Sequence, residues 1–124
     1  MEAKNMISTE KTREPKIVKG LQNGKGEVIM EHLLGSDELK KAGRLYAKIT
    51  LKKGCSIGYH EHHGESETYY ILSGEGEYND NGTKKILRAG DVSYTGGGEG
   101  HGIENVSDQD LVFMGLIIFH PEEK

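Results

Sequence analysis

From Arg44 to Leu51 polar and apolar residues alternate without interruption. Leu45, Ala47, Ile49 and Leu51 share one face, and Arg44, Tyr46, Lys48 and Thr50 share the other. A period of two is the signature of a β-strand with one buried side. No segment of comparable length carries a helical period, and glycine occurs 18 times against 2 prolines, which suits the positive-φ turns that join short strands. Further strands are predicted over 69–72, 76–79, 83–87, 91–94, 102–105 and 111–120. Between two of them, Asn81-Gly82 fits a type I′ hairpin turn. The apolar run 27–34 has no decisive period and is read as a strand rather than a short helix. After it, Ser36 is expected to cap a single helical turn that Gly43 ends. Many short strands with regular turns predict an all-β barrel or sandwich.

A chain of 124 residues accommodates one domain with one core. Residues 1–16 are charged and aperiodic, and are expected to form an arm, either flexible or exchanged with a partner subunit. Residues 17–124 form the barrel. The net charge of −4 and pI near 5.9 give no general attraction to nucleic acid or to anionic membranes. No stretch approaches the roughly 20 apolar residues of a membrane span. The single cysteine, Cys55, has no intrachain partner and fits inert packing in a reducing cytoplasm, so a cytoplasmic location is expected.

The densest chemistry lies at Tyr59-His60-Glu61-His62-His63. Residues two apart on a strand share a face, so His60 and His62 can present two imidazoles together while Glu61 points away. Glu67 follows a Gly-containing loop and can return on the next strand. His101, in the glycine-rich segment 96–102, can close the set. Three imidazoles and a carboxylate suit one divalent transition metal, Mn, Fe, Ni, Co or Zn, without selecting among them. If the ion is six-coordinate, two positions are left for water or a bidentate ligand. Tyr69 and Ile71 share strand phase with Glu67 and are candidates to line a substrate pocket; core packing explains them nearly as well. Glu99 is the candidate general acid or base, against the alternative of a solvated loop carboxylate. Arg44 and Lys48 would neutralise a carboxylate substrate only if their face turned inward. His63, His32 and His120 are expected at the surface or in structural roles.

These residues carry a family resemblance. Gly54, His60, His62, Glu67 and Gly74 match G-x5-H-x-H-x4-E-x6-G, the first motif of the cupins. Gly90, Gly98, His101 and Asn105 match the second, G-x5-P-x-G-x2-H-x3-N, with Gly96 in place of the usual proline. The chain resembles the small single-domain cupins of oxalate-decarboxylase-like type. The resemblance implies a double-stranded β-helix (jelly-roll) barrel with an interior metal, manganese among the possible ions. It also implies a homodimer, which the arm and the apolar strand 111–119 could support. The Ser-Glu-Asn-Ser lid through which two-domain oxalate decarboxylases deliver a proton has no counterpart here. Two functions are therefore expected. One is a metal-dependent enzyme acting on a small oxygen-rich molecule such as a carboxylate, by decarboxylase, dioxygenase or isomerase chemistry. The other is a non-catalytic metal- and small-ligand-binding or sensing module.

Overall fold

The computed structural model describes residues 6–122. Its strands are β1 (Lys16–Lys19), β2 (Glu27–Leu34), β3 (Gly43–Leu51), β4 (Ser56–Glu61), β5 (Glu65–Ser73), β6 (Glu75–Asp80), β7 (Thr83–Arg88), β8 (Val92–Thr95), β9 (Gly100–Asn105) and β10 (Leu111–Phe119). They pair antiparallel in two sheets, β1-β2-β3-β10-β5-β8 and β4-β9-β6-β7. The jelly-roll architecture expected from the motifs is thus the architecture found.

The alternation that marks β3 fixes its orientation. Leu45, Ala47, Ile49 and Leu51 are all buried, as are Leu111, Phe113 and Ile117 on the paired strand β10. Ile57, Tyr78 and Ile103 face them from the smaller sheet. Each such Leu, Ile or Phe side chain contributes roughly 1.5–3 kcal/mol through burial, and a slip of one residue in β3 would expose its whole apolar set. The hairpin between β6 and β7 has the expected geometry: Asn81 and Gly82 both take positive φ, 51° and 98°, and Asn79 Oδ1 accepts the Gly82 N–H at 2.8 Å.

Two expectations change. The short helix α1 (Ser36–Leu39) is capped by Gly35, not by the Ser36 hydroxyl. Glu38 Oε1 reaches back to accept the Gly35 N–H at 2.8 Å. Lys40, at φ 55°, ends the turn, while Gly43 opens β3. The strand from Leu111 lies between β3 and β5 with both edges paired, so it offers no free edge to a second chain. Of the arm, residues 1–5 lie outside the described residues. In the part that follows, Arg13 pairs Glu31 of β2 at 3.7 Å and Glu10 pairs Lys48 of β3 at 4.0 Å.

At the C-terminal end of β9, the buried Asn105 side chain ties the loops together. Its Nδ2 donates to Leu51 O (2.8 Å) and Gln109 O (2.7 Å), and its Oδ1 accepts the Ser107 N–H at 2.9 Å. That arrangement gives a physical reason for an asparagine at the last position of the second motif.

Candidate metal centre

His60 owes its aim to an irregularity. In the pairing of β4 with β9, Ile57 lies opposite Ile103 and His60 opposite His101, so β4 spans three residues where β9 spans two. The extra residue is a β-bulge at Gly58-Tyr59, which turns His60 inward in a place where plain alternation from Ile57 would turn it out. Gly58 suits the bulge because the turn Leu21–Asn23 packs directly against it. A side chain at residue 58 would collide with Gln22 O. The bulge carbonyl, Gly58 O, then accepts the His60 Nδ1–H at 2.8 Å.

His62 lies one residue beyond β4 and is held by the glycine-rich loop. Its N–H donates to Glu99 O at 3.0 Å, and its carbonyl accepts the Gly98 N–H at 2.6 Å. Its Nδ1–H donates to Glu65 Oε2 at 2.5 Å. His101, fully buried on β9, stacks on Tyr69 with ring centroids 4.9 Å apart. Its Nδ1 is 2.7 Å from the Tyr78 hydroxyl, which also bonds Thr95 Oγ1 at 2.8 Å. Glu67 comes from the opposite sheet, on the inward face of β5 together with Tyr69 and Ile71.

With every Nδ1 engaged outward, the three Nε2 atoms turn toward one another and toward Glu67 Oε1. His101 Nε2 is 3.1 Å from His60 Nε2, 3.1 Å from His62 Nε2 and 3.0 Å from Glu67 Oε1; His62 Nε2 is 3.1 Å from the same oxygen. His60 Nε2 is 3.8 Å from it. Ligands about 2.1 Å from a metal and at right angles lie about 3.0 Å apart, so this spacing fits a common ion. The four residues form the cluster that can hold one.

The electrostatics suit a cation. Burial alone would raise the Glu67 carboxyl, but the imidazoles of His101, His60 and His62 hold it well below the usual carboxylate range. Burial lowers His101. At His62 burial also opposes protonation, yet hydrogen bonds with Glu67 and Glu65 outweigh it and raise the imidazole above its ordinary value.

His60, His62 and Glu67 line a cavity of about 130 Å³ whose walls include Leu45, Ile49, Ile57, Tyr69 and Ile117, with Gln22 and Arg44 also lining it. Tyr69 lines this cavity, whereas Ile71 is buried in the core and takes no part in the lining. Glu99 does not reach it: the residue is exposed, and its Oε1 accepts the Gly96 N–H at 2.8 Å, capping its own loop. His63 is exposed beside Glu61, and His120 bonds Ser66 Oγ at 2.9 Å. Glu65 and Tyr78, which orient His62 and His101, are the site residues that sequence reading missed. Glu65 shares strand phase with Glu67, which was the available signal.

The Cupin domain family model matches residues 47–119. A Thermotoga maritima protein named oxalate-binding protein is 46% identical over 104 residues, spanning 84% of this chain and 86% of that one. The crystal structure of a Thermotoga maritima protein described as a predicted oxalate decarboxylase superposes with a TM-score of 0.88 at 43% identity, covering 92% of this chain and 99% of the other. KdgF from a Halomonas species shares the fold, at a TM-score of 0.76 and 13% identity over 96% of this chain and 97% of its own. In sequence, strand topology and site geometry alike, the chain belongs to the cupin family.

Proposed function

We propose that this chain binds one divalent transition metal through His60, His62, Glu67 and His101, and with it a small dicarboxylate the size of oxalate. The convergence of four lone-pair donors, all within 4.8 Å of one another, at a small, largely apolar cavity carries this reading. A cavity of about 150 Å³ accepts a molecule such as benzene, so about 130 Å³ supports a ligand of a few non-hydrogen atoms. The relative named an oxalate-binding protein supports the same class. A bound ion would supply a Lewis-acid centre for oxygen ligands.

The chain's own residues support binding over turnover. Apart from the four candidate ligands, the titratable side chains lining the cavity among the described residues are Tyr69 and Arg44. Both are held protonated: burial, aided by the Glu67 charge, pushes the Tyr69 phenol well up, and Glu65 raises Arg44. Neither is poised to give up and regain a proton near neutrality. The apolar wall limits the water that competes for a bound carboxylate.

Calorimetric titration of the metal-loaded protein with oxalate is expected to show saturable binding, absent from the metal-free protein and from Glu67→Gln. Assays in air and under nitrogen run on the same samples. Multiple turnovers lost in Glu67→Gln would replace the binding role with catalysis, and no oxalate binding by loaded wild type would refute the ligand assignment.

A further inference from the structure

We infer that Arg44 reads the negative charge of the cavity's ligand and sets the preference for a dianion; this rests on the metal-dependent reading above. Arg44 belongs to the outward, polar face of β3, yet the residue is part of the cavity lining. Glu65 holds it there through two hydrogen bonds of 2.7 Å, from Nε to Oε1 and from Nη2 to Oε2. This paired geometry fixes the plane of the guanidinium before any ligand arrives. The same Glu65 carboxylate accepts the His62 Nδ1–H, so the arginine is anchored to the residue that orients a metal ligand. Nη1 has no protein acceptor among the described residues, and the side chain is 53% exposed.

The charges at the site make Arg44 decisive. The two positive charges of a divalent ion are matched by the carboxylates of Glu67 and Glu65. Arg44 then supplies the site's net positive charge, and apart from the imidazoles no other cationic side chain lines the cavity. Apolar neighbours, Leu45 and Ile117 among them, lower the local dielectric and strengthen its attraction for an anion. A guanidinium with unused N–H groups beside a metal site is suited to a carboxylate that the metal alone leaves partly unneutralised.

Oxalate and its singly charged monoamide, oxamate, separate charge from shape. Metal-loaded wild type is expected to prefer oxalate. Arg44→Met is expected to weaken oxalate binding about ten- to a hundredfold and to lose most of that preference, while metal affinity holds or rises because a cation has been removed. Arg44→Lys keeps the charge without the fork and should retain the preference at reduced affinity; it decides the matter if the methionine variant fails to fold. An unchanged oxalate-to-oxamate ratio in Arg44→Met, or its loss in Arg44→Lys, overturns the assignment. Failure of loaded wild type to bind either anion overturns the underlying reading instead.

Discussion

His60→Ala is expected to fold yet lose its metal. His60 is the most accessible of the four donors, at 12% side-chain exposure against 4% for Glu67 and 0% for His101. Its Nδ1 is satisfied by Gly58 O within the same bulge, so its removal strands no buried side-chain partner. His101 would be a poorer probe, since its loss also removes the stack on Tyr69 and the bond to Tyr78. Altering only the groups that orient metal ligands typically costs 10–100-fold in affinity, so deleting a donor should cost more than about a hundredfold. Thermal denaturation reads this directly. At free metal about a thousandfold above Kd, wild type should gain about 4 kcal/mol. The variant should gain less than about 1.4 kcal/mol at the same concentration, and equal stabilisation of both proteins would remove His60 from the donor set.

Acidification should release the metal over a broad range. Each imidazole must be neutral to bind, so protons and metal compete, and affinity falls as pH falls. The order follows from the environments. His62, raised by its hydrogen bonds to Glu67 and Glu65 despite burial, takes up a proton above the ordinary 6.5; His101, lowered by burial, does so below it. Glu67, held far below the usual range, stays ionised throughout and adds nothing to the dependence. Each titrating imidazole contributes about one factor of ten per pH unit, so the decline should steepen as pH drops from 8 to 5. Chelator competition at successive pH values measures it. An affinity flat across that interval would mean that the imidazoles are not the donors.

The periodicity of two in β3 and the Asn81-Gly82 turn were legible because they depend on neighbours in the chain. The motif spacing also lists all four residues of the cluster that could hold a metal. What pairing decides was not legible. The bulge at Gly58-Tyr59 exists only in the register of β4 against β9; the spacing puts His60 and His62 in one phase, but without the bulge the alternation from Ile57 would turn His60 outward. The β5 strand that carries Glu67 crosses to the other sheet, so the carboxylate approaches the imidazoles from across the barrel. Arg44 sits on a face that the pattern correctly assigns outward, and only its long side chain, held by Glu65, brings it to the cavity. Glu99 failed as a pocket residue for a local reason: Gly96, where the motif usually has proline, offers an N–H that its carboxylate caps.

The proposed function requires that the cluster of His60, His62, Glu67 and His101 hold an ion. Elemental analysis of the purified full chain, loaded in turn with Mn, Fe, Co, Ni and Zn and then desalted, tests that most directly. About one tightly held metal per chain is expected for at least one of the five. A folded wild-type protein that retains none of them would contradict the central claim.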